Sequence, residues 1–171
     1  LPQSQGFLFA DFRLSGTPAF LEGMPLPFSY SMAKPGTRRV AREAAIQYLF
    51  SHDLNKVEDG TIADDDFWGI RPTRPAEREF AEELLTGLAA EHEAVDRAIM
   101  DAVENYAFHR IAVVDRNILR LATYEILFCD NIPVPVSINE AVEIAKRFGT
   151  EDSASFVNGI LDRIRRENAK S

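Results

Sequence analysis

Lys34, Arg38, Arg39 and Arg42 stand close together with no acid among them. Cations at this spacing, where a flexible arm enters a helix, suit an anion, because the first-turn amides of a helix are also free to donate. Several such contacts together would hold a polyanion by its phosphates, which positions a nucleic acid without reading its bases. The same residues fit an ordinary solvated face equally well. Arg120 either adds to this patch or serves as a salt-bridge partner within its own helix. Catalysis has weaker support. His52, His92, His109 and Cys129 occur singly, without the close pairing of a metal site. Cys129 falls on an apolar stripe and reads as a buried structural thiol. The carboxylates are numerous, but an acid-rich helical surface supplies such pairs without catalytic purpose. Gly149 and Gly159 have none of the phosphate-loop pattern between them. The reading is of a non-enzyme with no metal and no cofactor.

Helices must position these groups. Thr37 is a plausible N-cap for a first helix running to about Leu54, with Arg38 and Arg42 on one face and Ala41, Ala45, Tyr48 and Leu49 on another. The run ADDDFWGI predicts a short helix with Phe67, Trp68 and Ile70 inward. Pro75 suits a first helical position, and the stretch after it is long enough for two helices or one bent helix. From Asp115 to Ile164 three apolar stripes predict three more helices. Asn131, Pro133 and Pro135 separate the first two, and Gly149 ends the second where a left-handed residue is cheapest. Ser137 and Glu140 have capping-box spacing. Alternatively Pro133 begins that helix, Ser137 lies inside its first turn, and Glu140 belongs to the surface or to a network. Thr150 or Asp152 caps the last helix. Gly159 inside it predicts close packing against another backbone, and Asn139 and Asn158 are expected in buried backbone networks. No useful β alternation occurs, so the fold class is all-α.

A chain of 171 residues with 46% apolar residues is expected to form one folded domain. A single cysteine fits a reducing compartment such as the cytoplasm, and no apolar run reaches the length of a membrane span. The net charge of −8 argues against coating nucleic acid wholesale, yet it is unevenly spread. Acids dominate from Asp53 to Glu104, so one basic end would steer the molecule to a polyanion in one orientation. Residues 1–31 lack a sustained helical period and the marks of a secretory signal, and read as an amino-terminal extension, mostly loop. The folded unit is expected to occupy 32–171.

TRRVAREAAIQYLF at Thr37–Phe50, NILRLATYEIL at Asn117–Leu127, PVSINEAVEIAKRFG at Pro135–Gly149 and SASFVNGILDRI at Ser153–Ile164 together closely resemble the NusB family of transcription antitermination factors. The resemblance covers residues 34–166 in order. It implies about seven helices in two small packed bundles, and a place in the RNA polymerase elongation complex on ribosomal RNA operons. It also implies binding of boxA RNA through Lys34, Arg38, Arg39 and Arg42, with NusE, a small-subunit ribosomal protein, alongside. Partner-facing residues carried over are Phe50, Asp115, Asp152 and Phe156. Phe50 replaces the family's more familiar tyrosine, keeping contact area but losing one hydrogen-bonding group. Relatives differ in self-association, so monomer and homodimer both stay open. A NusB-like module also precedes certain rRNA cytosine methyltransferases, a reading that requires a following cofactor-binding domain. A second alternative is a module that recruits a basic ribosomal partner without specific RNA recognition.

Overall fold

Alanine sets the depth at which the first helix sits. In α1 (Thr37–Asn55), Ala41, Ala44 and Ala45 are completely buried, with Ile46 and Tyr48 beside them. Side chains this short let neighbouring backbones approach, and α1 packs against α3 (Pro75–Ala90) and α5 (Val113–Phe128). The remaining elements are α2 (Asp65–Ile70), α4 (His92–Ala102), a 3-10 turn at Phe108–Arg110, α6 (Val134–Phe148) and α7 (Ser153–Asn168). This computed structural model describes residues 36–55, 65–71, 73–103 and 108–168, so Lys34 and the 1–31 extension lie outside the described residues. Seven α-helices and no strand occur among them, as the sequence led us to expect.

Helix α5 is the hub. It touches α1, α3, α4, α6 and α7, and its buried positions run around much of its circumference. Ile118, Leu119, Leu121 and Ala122 fill its apolar side. One packing group comprises α1, α3 and α5, and a second comprises α5, α6 and α7, with α4 against α5 and α7. Leu84 and Leu88 of α3 and Val157, Leu161 and Ile164 of α7 complete the core. Truncating a buried leucine of this kind to alanine typically costs about 2–5 kcal/mol.

Glycine decides where helices meet, although at a different residue from the one expected. A Cβ added at Gly87 would lie 1.8 Å from the Tyr124 hydroxyl oxygen, so the Tyr124 side chain of α5 lies over α3 in the space that Gly87 leaves. Gly159 is exposed, and a Cβ there would meet nothing within 4 Å. The expectation of tight packing at Gly159 is therefore wrong: a mid-helix glycine does not by itself reveal which way it faces. Gly149 does follow α6, but its φ of −92° is not left-handed. Space explains it instead, because a Cβ would fall 2.4 Å from the Ser153 hydroxyl oxygen and 2.8 Å from the Ala145 carbonyl oxygen.

Other boundaries are settled by proline and by local hydrogen bonding. Pro75 opens α3, and the long stretch behind it is two helices that break at Glu91. Pro133 precedes α6, so Ser137 lies within its first turn and the capping-box alternative does not form. Thr37 is the first residue of α1, and the Gly36 carbonyl accepts from the amides of Arg39 and Val40. Three side chains expected inside are outside. Asn139 and Asn158 are exposed, and Ile70 is 67% exposed while Trp68 beside it is buried.

Candidate nucleic-acid and protein interfaces

The three described arginines of the basic cluster meet three different fates: Arg39 points about 100° away from Arg38, and Arg42, one turn on along the face of Arg38, is buried. Arg38 is exposed at the start of α1, its guanidinium 5.4 Å from the centroid of the Phe80 ring on α3. Arg39 is rotated towards α6. Its Nε and Nη2 donate to the two carboxylate oxygens of Glu140 at 2.8 and 2.7 Å, leaving 31% of its side chain accessible. That paired geometry raises the Arg39 pKa and holds the Glu140 carboxyl below its usual range.

Arg42 is not an outward cation. It is 4% exposed, and its Nε and Nη2 donate to Glu125 of α5 at 2.7 and 3.0 Å. Glu125 is itself 1% exposed and also accepts a 2.7 Å hydrogen bond from the Ser137 hydroxyl of α6. Arg42, Glu125 and Ser137 thus tie α1, α5 and α6 together beneath the surface on which Arg38 lies. Phe80 is the aromatic neighbour of both cations, since the Arg42 guanidinium also sits 5.4 Å from its centroid. A further pair, Arg147 to Glu43 at 2.7 Å, joins α6 to α1 nearby.

Arg120 does not join this patch. It donates two hydrogen bonds to Asp96 of α4, at 2.7 and 2.8 Å, and lies 3.7 Å from Asp53. Asp53 is near the far end of α1, fifteen residues from Arg38, which is about 22 Å of helix. The expected intrahelical role is also replaced, because its main partner is on another helix. Lys34 lies outside the described residues.

The second set of residues gathers at that far end. Asp53 accepts hydrogen bonds from Arg116 at 3.2 Å and Asn117 at 3.0 Å, which places the last turns of α1 beside the first turns of α5. Asp115, in the first turn of α5, accepts a 3.0 Å hydrogen bond from the Ser153 hydroxyl at the start of α7. The segments carrying Phe50, Asp115, Asp152 and Phe156 therefore converge. Phe50 and Phe156 are half-buried, and Phe156 packs on the core; Asp152 is exposed. Asp115 is only 7% exposed and faces its neighbours rather than solvent.

The thiol of Cys129 is half-buried just after α5, and burial pushes its pKa up. The nearby Tyr124 hydroxyl is likewise pushed up, to about 12, by burial and then by Cys129. Among the described residues no three metal-ligating side chains come together, and no helix is long and apolar enough to cross a membrane. Sequence reading did not find Phe80, Glu125, Gly87 or Ser153. Each acquires its role from a residue far away along the chain, so local spacing carried no signal for it.

The described residues form an all-α bundle knitted by interhelical ion pairs, with Arg38 exposed at the start of α1. Residues 39–166 match the model of the NusB family, and the chain belongs to that family of transcription antitermination factors. It is 44% identical over 133 residues to the transcription antitermination protein NusB of Desulfotalea psychrophila, covering 75% of this chain and 94% of that protein. With the same protein of Geobacter sulfurreducens the identity is 45% over 129 residues, at 75% and 94% coverage. The solved T. maritima NusB superposes with a TM-score of 0.68 at 42% identity, covering 80% of this chain and 94% of that one. A structure of antitermination factors NusB and NusE in complex with dsRNA gives a TM-score of 0.64 at 25% identity, with 77% and 97% coverage.

Proposed function

We propose that this chain binds boxA RNA together with NusE, and so takes part in the RNA polymerase elongation complex on ribosomal RNA operons. The observation that carries this reading is the separation of chemistry along α1. Arg38 and the accessible part of Arg39 stand at one end. At the other end, twelve residues or about 18 Å of helix from Arg38 to Phe50, the last turns of α1 and the start of α7, where Asp152 and Phe156 lie, both meet the first turns of α5. Two partners could then occupy one protein without competing for the same side chains. The resemblance in fold to a NusB solved with NusE and dsRNA supports the pairing.

In this reading Arg38 and Arg39 hold RNA phosphates, with Lys34 extending the contact. Arg39 is pre-oriented by Glu140 and keeps donors for a second acceptor, since a guanidinium has five N–H groups and Glu140 uses two. Arg42 supports the patch from below. The test is the affinity for boxA RNA, with a scrambled RNA of equal length as control, measured with and without NusE. Preferential boxA binding that NusE strengthens supports the proposal. NusE binding with no preference for boxA would favour recruitment of a ribosomal protein alone, a reading to which the net charge of −8 lends weight.

A further inference from the structure

The turn between α6 and α7 is held from beneath by two buried side chains. Gly149 closes α6, Thr150, Glu151 and Asp152 are exposed, and Ser153 opens α7 with 1% of its surface accessible. The Ser153 hydroxyl oxygen accepts the Thr150 amide at 2.8 Å and lies 3.1 Å from the Thr150 hydroxyl. It donates its own proton to Asp115 Oδ2 at 3.0 Å. Gly149 leaves the space for this arrangement, since its missing Cβ would overlap the Ser153 side chain. One serine hydroxyl thus connects the turn backbone to the first turn of α5.

Asp115 is the fixed end of the chain. Its other oxygen, Oδ1, is buried and has no hydrogen-bond partner among the described residues. A carboxylate buried this way, 7% exposed, is poorly placed to meet a partner's cation directly, whereas the turn above it carries two exposed acids. Its position in the first turn of α5 offsets part of the burial cost, because the helix N-terminus favours negative charge.

We propose that Asp115 and Ser153 are a positioning pair, which fixes the Glu151–Asp152 turn in the conformation that a basic protein surface recognises. The identity of that surface as NusE rests on the reading of the preceding subsection. Asp115 acts through Ser153 and not through its charge. Asparagine at 115 keeps an oxygen for the Ser153 proton, and its amide falls where the carboxylate already lacks a partner. The substitution Asp115→Asn therefore preserves the device, while Asp115→Ala and Ser153→Ala each break it.

The experiment measures NusE affinity for the full chain and these three variants, together with hydrogen exchange of the Thr150 amide in the free proteins. Ser153→Ala and Asp115→Ala are expected to weaken NusE binding about ten-fold, which corresponds to about 1.4 kcal/mol. Both should speed Thr150 exchange. Asp115→Asn should bind within about two-fold of the unsubstituted chain and keep the amide protected. Equal loss of binding in Asp115→Asn and Asp115→Ala, with Ser153→Ala unaffected, would overturn the proposal in favour of a direct charge contact. Failure of the unsubstituted chain to bind NusE would sink the proposed partner instead. Thr150 exchange would then still decide the positioning claim, which falls if Ser153→Ala leaves the amide protected.

Discussion

Arg42 and Arg38 share a face of α1 and an aromatic neighbour, yet their removal should have opposite consequences. Arg42→Ala leaves Glu125 charged and uncompensated in the interior, which typically costs about 3–5 kcal/mol. Arg38→Ala should change stability by no more than about 0.5 kcal/mol, as expected for an exposed side chain. Urea unfolding of the two variants checks this, and equal stability would contradict the buried assignment. Arg39 lies between these cases. Its pairing with Glu140 should give a double-mutant coupling on the order of 1 kcal/mol at neutral pH. Hydrogen bonds from Arg39 hold the Glu140 carboxyl below its usual range. A depressed folded-state pKa gives stabilisation that is full above the unfolded value of about 4.3 and is lost as pH falls through the folded one. The coupling should therefore shrink on acidification; a coupling that does not would show that the carboxylate charge is irrelevant. None of this was readable from RRVAR alone. The pattern shows that Arg39 lies on a different face from Arg38 and Arg42, but Glu125 is 83 residues from Arg42 and Glu140 is 101 from Arg39.

Among the elements, α3 receives the Tyr124 side chain of α5 at a glycine. Gly87→Ala would force a methyl group into the Tyr124 side chain and should cost about 1–3 kcal/mol. Gly159→Ala, on an exposed face with open space, should instead stabilise the protein by about 0.4–1 kcal/mol, mainly by restricting the unfolded chain. Thermal unfolding distinguishes these cases, and a destabilised Gly159→Ala would restore the packing role that its sequence position suggested. Helix existence was legible in the apolar stripes of α5, α6 and α7, which bury Ile118, Leu121, Ala141, Ala145, Val157 and Leu161 as their periodicity requires. The start of α6 was ambiguous because Pro133 and Pro135 both suit a helix opening. Once Pro133 precedes the helix, Ser137 falls inside its first turn and bonds to Glu125 instead of capping. The direction a glycine or an asparagine faces depends on what packs there, and no local signal encodes that.

For the molecule as a whole, the four sequence segments that resembled NusB lie on α1, α5, α6 and α7, all of which contact one another through α5. That is why family and fold were legible together. The site was legible only in part: the basic cluster was found as residue types and Asp152 through the family resemblance, while the division of the arginines between surface and interior required the packed helices. We propose further that residues 1–31 are dispensable for folding. Their removal should leave helical content and cooperative unfolding largely intact, and a loss of several kcal/mol in denaturant unfolding would contradict this.

The central claim is that α1 offers RNA its exposed amino-terminal arginines and leaves its far end to a protein. The most direct test is boxA RNA affinity of Arg38→Ala/Arg39→Ala at a series of salt concentrations, after its helicity is confirmed, with NusE affinity measured in parallel. The account predicts weaker RNA binding, a log–log salt slope flatter by roughly 0.7 for each lost phosphate contact, and unchanged NusE affinity. An unaltered boxA affinity and salt slope in a folded variant would contradict it.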